Sequence, residues 1–234
     1  MVQYTEWRSI SDGSIISSIP DSELSQLQNR YPISEGTGQT FEDIAGSENA
    51  TANFSNWESG DWVGGYISRF NGEDDEADSG ATLPGGEFGI AVTIDINESK
   101  EGVDETVISF GSSSGSSDTG RFIQFNDGDG LRFWGRDDDT STAIVTDGTT
   151  AAGTYRVVAF NDPDNNEIGI AVNGSTPTRA SNGSGMSADA GSHGIGYRVG
   201  SDRNFGGGIS DIQLVASTPT NQQISDDYDS MPWS

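Results

Sequence analysis

Five carboxylates fall within six residues, in the run EDDEAD from Glu73 to Asp78. Hydrolysis of a glycosidic bond needs two carboxyl groups roughly 5–9.5 Å apart, one of which serves as general acid. A strand that positions such a pair alternates its carboxylates with apolar residues, and this run lacks that alternation. It also follows Asn71-Gly72, residue types that are typical of turns. We therefore expect a solvated acidic turn and not a catalytic pair.

A second candidate for catalysis or metal binding is His193, the only histidine in a chain that has no cysteine. His193 lies in a stretch rich in Gly, Ser, Asn and Asp from 181 to 194, which predicts an exposed loop. One histidine alone indicates neither a zinc site nor a Ser-His-Asp set. We expect no catalytic residues and no enzymatic activity.

Two aromatic residues, Trp57 and Trp62, have the chemistry to stack on sugar rings. Tryptophan at such positions more often fills the core of a β-sandwich. Both alternatives stay open, and the core is the one that we favour.

The charge of the chain excludes some partners and predicts its environment. The sequence has 37 acidic and 11 basic residues, a formal net charge of −26, and Lys100 is the only lysine. Such repulsion destabilises a compact state at low salt, whereas at 1 M salt the Debye length falls to ~3 Å and screens it. The composition therefore predicts adaptation to high salt and resembles that of haloarchaeal proteins. It argues against nucleic acid as a partner, because the basic residues do not cluster.

No apolar stretch approaches the length of a membrane-spanning helix, so we expect no membrane insertion. The N-terminal sequence MVQYTEWRSISDGS also lacks the basic and apolar regions of an export signal. We expect a protein that is not exported by that route.

Apolar periodicity predicts many short strands. Phe88 to Ile96 alternates cleanly along nine residues. Residues 154–174 predict a hairpin with an Asp-rich turn around Pro163. Helical patterns are confined to residues 22–28 and 220–227. These observations predict an all-β sandwich with two short helices.

Three segments, in order, resemble laminin-G-like domains of the concanavalin A-like lectin-glucanase jelly-roll class. The resemblance implies a two-sheet antiparallel jelly roll over residues 31–234, preceded by an N-terminal lead or anchor segment, residues 1–30. The matching residues are Glu35, Gly36, Gly38 and Asp43 in the first segment, Ala171 to Gly174 at the end of the hairpin, and Asn204 to Val215 in the closing strand.

The resemblance also implies candidate metal ligands. Some relatives hold a structural Ca²⁺ in the loop that follows the first motif, where this chain has Asp43 and Asn49. Asp211 stands in the closing strand where relatives have Glu, and it is the third candidate. Carboxylate and amide oxygens suit a hard cation such as Ca²⁺. Asp43 could equally organise its loop by hydrogen bonds alone.

The fold class does not determine function. Jelly-roll hydrolases place Glu-x-Asp-x-x-Glu on one strand, and this chain has no such strand. The fold class is of an extracellular adhesion type, yet the sequence shows no export signal, and a virus particle assembles inside the cell and carries such folds outside on release. Together with the high-salt composition, this predicts a non-enzymatic virion structural and adhesion protein of a haloarchaeal virus, a subunit of a capsid turret, spike or tail fibre. The alternative is a secreted haloarchaeal carbohydrate-binding module or glycoside hydrolase of the same fold.

This hypothesis predicts partners and location. The partners are other copies of the chain as a homo-oligomer, other virion proteins, and host surface glycan or S-layer glycoprotein. The protein would be assembled in the host cytoplasm and displayed on the virion surface after release. The loops expected to face outward are 111–120, 136–141 and 181–194.

Overall fold

The computed structural model shows an all-β fold, and in the residues that it describes sixteen strands form two antiparallel sheets. The predicted two-sheet antiparallel sandwich is therefore confirmed. The structure describes residues 26–83, 86–97, 103–111, 120–126, 128–136, 142–182, 193–198 and 203–233. The strands are β1 (Leu27–Tyr31), β2 (Thr40–Phe41), β3 (Ala50–Ala52), β4 (Trp57–Ser59), β5 (Tyr66–Asn71), β6 (Ala77–Ser79), β7 (Phe88–Ile96), β8 (Glu105–Gly111), β9 (Gly120–Asn126), β10 (Gly130–Arg136), β11 (Thr142–Thr146), β12 (Gly153–Asp162), β13 (Glu167–Val172), β14 (Thr178–Ser181), β15 (His193–Ile195) and β16 (Gly206–Val215).

The first sheet has the strand order β14-β13-β12-β7-β16-β5-β4. Strand β16 pairs with β7 along one edge, and on its other edge it pairs first with β5 and then with β1. The register of β16 against β7 shifts between Ser210 and Gln213, where Asp211 has a φ of 37°. This bulge re-aims the carboxylate of Asp211, as bulges commonly do for one side chain.

The second sheet has the order β11-β10-β9-β8-β15-β6-β3-β2. Alternate residues of both sheets meet between them and form one continuous apolar core. Strand β7 illustrates how the sequence produces this arrangement, because Phe88, Ile90, Val92, Ile94 and Ile96 all lie in that core. Burying these β-branched and aromatic side chains is the main contribution to the stability of such a sandwich.

The predicted C-terminal helix is present as α1 (Asn221–Asp229). Thr220 caps it: the Thr220 hydroxyl accepts from the Gln223 amide at 3.2 Å, while Gln223 Oε1 accepts from the Thr220 amide at 2.8 Å. These two reciprocal bonds form a capping box, which stabilises the start of the helix. Ile224 of the helix packs on Val158 and Phe160 on the outer face of the first sheet. In the described part of the chain, no helix is long and apolar enough to cross a bilayer.

The prediction of a helix over residues 22–28 is wrong for the part of that range that the structure describes. Residues 22–25 lie outside the described residues, and Leu27 and Gln28 belong to strand β1. Pairing of β1 with the C-terminal half of β16, such as Tyr31 with Ile212, explains the difference. Tertiary strand pairing readily overrides a weak helical propensity.

Candidate functional site

The outer face of the second sheet is formed by residues that alternate with core residues. On β10, Leu131 and Phe133 belong to the core, so Arg132 and Trp134 lie on the opposite, outer face. Phe122 of β9 pairs with Trp134 and joins it on that face. In the described part of the chain, the helix packs on the other sheet.

Aromatic rings and a cation form a compact stack on this outer face. The rings of Phe122 and Trp134 are stacked with their centres 4.7 Å apart. The guanidinium of Arg198 lies 4.3 Å from the centre of the Phe122 ring and 4.7 Å from that of Trp134. Phe122 is buried, Trp134 is partly exposed, and its cross-strand neighbour Ile144 is 49% exposed. An indole that is fixed by such contacts and stays partly exposed is a platform on which a sugar ring or another flat apolar face can stack.

A polar network flanks this platform. Arg132 donates to Gln124 Oε1 from Nε at 3.3 Å and from Nη2 at 3.0 Å, and its Nη2 lies 2.6 Å from Asp104 Oδ2. Gln124 in turn donates to Thr106 Oγ1 at 3.1 Å. Burial alone would raise the pKa of Asp104, but Arg132 and Arg203 outweigh it and hold that pKa low. Charged donors and acceptors are thus fixed two residues from Trp134, an arrangement suited to a ligand with many hydroxyl groups.

The strand ends beside the stack carry the three connections that we expected to face outward. Those connections are 111–120, 136–141 and 181–194, and most of their residues lie outside the described ones. Gly111 pairs with Gly120, Gly120 with Arg136, and Arg136 with Thr142. Strand β15 joins the same edge through its first residue, His193, which pairs beside Gly111. The connections 111–120 and 136–141 therefore join strands at one end of the second sheet, and the connection 181–194, which starts after β14 of the first sheet, arrives at that same end.

Asp43 and Asn49, predicted as calcium ligands, do lie together. Asn49 Oδ1 accepts from the Asp43 amide at 2.9 Å. Burial raises and hydrogen bonding lowers the pKa of Asp43, and the net effect is a lowered pKa. The donors to its carboxylate are the backbone amides of Arg30, Ala45, Gly46 and Glu48 and the side-chain amide of Asn29, at 2.6–3.2 Å.

These five donors decide how well the loop fits a cation. A carboxylate has about four lone-pair sites, and the positive ends of five N–H groups point at this one. The arrangement fits the loop-organising alternative for Asp43 and does not fit a Ca²⁺ ligand. Nowhere among the described residues do three or more His, Cys, Asp or Glu side chains converge as a metal site would require.

Asp211, the third predicted ligand, lies apart in a buried ionic cluster. It is fully buried, and its carboxylate lies 2.9 Å from Arg30 Nε and 3.1 Å from Arg156 Nη1. Gln213 also donates to it at 2.8 Å. Burial would raise the pKa of Asp211, but Arg30 and Arg156 keep it low. Because two guanidinium groups already neutralise Asp211, it does not fit a cation site either.

His193 was expected in an exposed loop, and that expectation is wrong. It opens strand β15 and is fully buried, stacked on Phe110 with ring centres 4.3 Å apart. Its Nδ1 lies 2.7 Å from Ser79 Oγ, which also accepts from Tyr31 at 3.2 Å. Burial lowers the pKa of His193 to about 3. The Gly/Ser-rich sequence before it predicted a loop, but pairing with β8 and β6 made it a core residue.

The acidic run from Glu73 forms the turn that its sequence predicted. Asn71 Oδ1 accepts from the amides of Glu73, Asp74 and Asp75 at 2.8–3.1 Å. Gly72 has a φ of 73°, which glycine adopts without strain. The carboxylates of Asp74 and Asp75 accept from Asn71 within this turn, whereas Asp78 lies on strand β6 and accepts from the Tyr197 hydroxyl.

The two candidate tryptophans differ. Trp57 packs against the core and donates to the Gly38 carbonyl at 3.0 Å. Trp62 lies outside the core cluster, edge-on to Trp233 with ring centres 5.9 Å apart, and the Arg69 guanidinium is 5.9 Å from its ring centre. The core alternative thus holds for Trp57, while Trp62 is a partly exposed surface residue.

Residues 71–225 match a family model of the laminin G type, described as the concanavalin A-like lectin/glucanases superfamily. That range is more than half of the chain. The chain belongs to the concanavalin A-like lectin/glucanases superfamily. The predicted resemblance to this class is confirmed.

Several solved structures share the fold at low identity. Domain 4 of an extracellular GH43 arabinanase from Geobacillus stearothermophilus, solved with arabinotriose, aligns with a TM-score of 0.65 and 13% identity over 87% of this chain and 98% of that one. A Trypanosoma rangeli sialidase solved with the inhibitor DANA gives 0.62 and 16%, over 86% of this chain and 32% of the sialidase. The binding domain of Paraclostridial Mosquitocidal Protein 1 gives 0.68 and 10%, over 88% and 52%.

These likenesses establish the fold alone. The chain corresponds to about a third of the sialidase and about half of the mosquitocidal binding domain. No curated protein matches the sequence.

Sequence reasoning identified the lectin/glucanase fold but missed the outer-face stack. The alternation in GLRFWG contained the signal, because apolar Leu131 and Phe133 on one face require Arg132 and Trp134 on the other. Arg198 carried no such signal. It reaches the two rings only through the pairing of β15 with β8.

Proposed function

We propose that this protein is a non-enzymatic carbohydrate-binding module that attaches a haloarchaeal virus to its host, as a subunit of a capsid turret, spike or tail fibre. Its ligand is host-surface glycan or S-layer glycoprotein. Carbohydrate binding rests on one observation: a partly exposed Trp134 platform, stacked on Phe122 and flanked by the fixed polar groups of Arg132. The related arabinanase domain solved with arabinotriose supports the same ligand class.

A binding role without catalysis is supported by the candidate catalytic groups. The acidic run near Asn71 is engaged in a turn. His193 is buried, and its lowered pKa makes it a poor general acid or base at neutral pH. A high-salt environment is supported by the net charge of −26 with a single lysine, and the virion assignment combines that composition with an adhesion-type fold.

Binding to isolated haloarchaeal cell envelopes in molar KCl tests the proposal. The full chain should co-sediment with envelopes. Trp134→Ala should bind roughly 30-fold more weakly, because a central Trp in an interface contributes about 2 kcal/mol or more. Tyr228→Ala is the matched control, since it removes a partly exposed aromatic from the helix on the opposite sheet, and its affinity should be unchanged.

Two results would contradict the proposal. Equal binding by Trp134→Ala and by the unchanged chain would reject the outer face as the site. Absence of binding by all three proteins would reject the receptor role and favour a purely architectural subunit.

The virion assignment has its own test, because an antibody against the chain should label purified virus particles. Recovery of the protein from particle-free medium alone would instead favour a secreted carbohydrate-binding module.

A further inference from the structure

A second site is indicated by a cleft at one end of the sandwich, away from the Trp134 stack. The cleft has a volume of about 720 Å³ and lies across the ends of the neighbouring strands β5, β16, β7 and β12. Strand β8 of the second sheet adds Glu105 to its wall. This volume lies within the range of roughly 300–1,000 Å³ that is usual for small-molecule sites.

Polar groups along the cleft are held by one another. Arg69 donates from Nε to Glu58 at 2.7 Å and from Nη1 to Asp95 at 2.5 Å. Thr154 donates to the other oxygen of Asp95 at 3.1 Å. With its amide oriented to satisfy both neighbours, Asn97 donates to Asp95 at 3.1 Å and accepts from Arg69 at 3.2 Å. Burial opposes the charge of Arg69, but Glu58 and Asp95 outweigh it and raise its pKa, so the guanidinium stays charged.

Two glycines of β16 shape the cleft in different ways. A β-carbon on Gly208 would come within 2.4 Å of Ile67 Cδ1 and 2.8 Å of Arg69 Nη1, so a side chain there would displace the ends of both side chains. A β-carbon on Gly206 would meet nothing nearer than Glu105 Oε2, at 3.4 Å, and its φ is not in the left-handed region. Packing therefore does not require glycine at position 206. Its missing side chain leaves the cleft open.

An aromatic pair lies behind Arg69 and outside the lining of the cleft. The Arg69 guanidinium is 5.9 Å from the centre of the Trp62 ring, and Trp62 contacts Trp233 edge-on. These rings back the Arg69 side chain, so the groups that meet a ligand in the cleft are the polar ones. Fixed donors and acceptors of this kind suit the hydroxyl edge of a sugar ring.

We propose that this cleft is a second carbohydrate site, which takes a neutral sugar residue and rejects acidic ones. The carboxylates of Glu58 and Asp95 contact the single guanidinium of Arg69, and a third carboxylate, that of Glu105, lines the same cleft, so the cleft repels a carboxylate or sulfate on the ligand. Neutral hydroxyls can donate to Asp95 and accept from Arg69 Nη2. The ligand class rests on the proposed function, whereas the place and the charge preference rest on the cleft alone.

Saturation-transfer NMR in molar KCl tests this site with three probes: maltotriose and arabinotriose, which are neutral, and 3′-sialyllactose, which is acidic. At least one neutral trisaccharide should give a signal with the full chain, and sialyllactose should give none. Made in the Trp134→Ala background, so that the outer face does not contribute, Gly206→Leu should abolish the neutral signal by obstructing the cleft, while Gly206→Ala in the same background, the matched control, should fold and retain it. Arg69→Gln should weaken binding roughly tenfold, since it removes a charged hydrogen-bond donor.

The outcomes separate this site from the outer face. Trp134→Ala should keep the trisaccharide signal even if it loses envelope binding, and Gly206→Leu alone should keep envelope binding. Thermal melts establish that each variant is folded, and Arg69→Gln keeps the proposal testable if Gly206→Leu does not fold. Any one of three results overturns the proposal: no neutral signal, a neutral signal that survives both cleft variants, or equal binding of sialyllactose.

Discussion

Arg156 of β12 donates to both carboxylate oxygens of Asp227 on helix α1, from Nε at 2.7 Å and from Nη2 at 3.0 Å. Its third nitrogen, Nη1, contacts the carboxylate of Asp211 at 3.1 Å and donates to the Asp211 carbonyl at 2.7 Å. Arg156 is fully buried, and Arg30 completes the cluster by pairing with Asp211. Two guanidinium and two carboxylate groups thus balance beneath the helix. This cluster fixes the helix to the outer face of the first sheet.

Loss of Arg156 should therefore destabilise the protein strongly. In Arg156→Met, Asp227 and Asp211 lose a shared partner while they stay buried, which typically costs about 3–5 kcal/mol. Arg179→Met is the control. Its pairs with Asp162 and Glu167 are partly exposed, so its loss should cost about 1 kcal/mol or less. Urea unfolding at constant molar KCl measures both, and equal costs would show that the buried cluster has no special role.

His193 should make the protein sensitive to acid. Burial lowers its pKa to about 3 in the native state, whereas an unfolded chain titrates near about 6.5. Between these values the unfolded state binds a proton that the native state does not bind. The contribution of His193 to the unfolding free energy is therefore complete above pH 6.5 and is lost as the pH falls towards 3.

Because His193 is the only histidine, its ring protons can be followed by NMR without ambiguity. The native protein should show no titration between pH 8 and pH 5, and the urea-unfolded chain should show a midpoint near about 6.5. His193→Phe keeps a ring against Phe110. Between pH 7 and pH 4 this variant should lose less unfolding free energy, measured by urea unfolding, than the unchanged chain does. A native midpoint near 6 would mean that the ring is accessible and that the acid sensitivity lies elsewhere.

Asp43 should act as a structural hydrogen-bond acceptor. Asp43→Ala leaves the amides that converge on it without a partner and should cost about 3 kcal/mol. Asp61→Ala, at an exposed position, should change stability by less than about 0.5 kcal/mol. Removing Ca²⁺ with a chelator at constant ionic strength should leave the melting temperature unchanged. A fall in that temperature would instead support a calcium site, because a ligand that binds only the folded state must stabilise it.

Salt should control folding as a whole. With a net charge of −26, repulsion extends over the ~10 Å Debye length at 0.1 M salt and over only ~3 Å at 1 M. The melting temperature should rise steadily from 0.1 M to molar KCl, and the protein should loosen or unfold below that range. Neutral sucrose at matched osmolarity is the control. A melting temperature that is independent of KCl would reject adaptation to high salt.

The strands were largely predictable because their signals are local. Phe88–Ile96 is a strand over the same nine residues that alternate in the sequence, and Thr220 caps the helix through a neighbour three residues away. The ionic cluster was not predictable in this way. Arg156 and Asp227 are 71 positions apart in the chain, and only the packing of helix α1 on the first sheet brings them together.

The candidate sites show the same difference between features set by neighbouring residues and features that need distant parts of the chain. Asp43 and Asn49 were expected together and do lie together, since they share one short loop. His193 was misplaced because local composition cannot show that β15 will insert between β8 and β6. The end cleft needs four strands and the missing side chain of Gly206, a combination that no single segment of the sequence displays.

The N-terminal segment should anchor the protein in an assembly. Its apolar residues Trp7, Ile15, Ile16 and Ile19 lie outside the described residues, and the described sandwich starts at Gln26, whose carbonyl accepts from Ala216 at 2.7 Å. A chain that starts at Pro20 therefore keeps β1 and should melt at the same temperature as the full chain. We expect the full chain to form a homo-oligomer, since appendage subunits usually assemble with closed symmetry, and the truncated chain to be monomeric in light scattering.

Avidity should make the oligomer bind envelopes 10²–10⁴-fold more tightly than the truncated monomer, as an order-of-magnitude estimate. If the truncated chain assembles and binds envelopes as well as the full chain does, residues 1–19 are not the anchor.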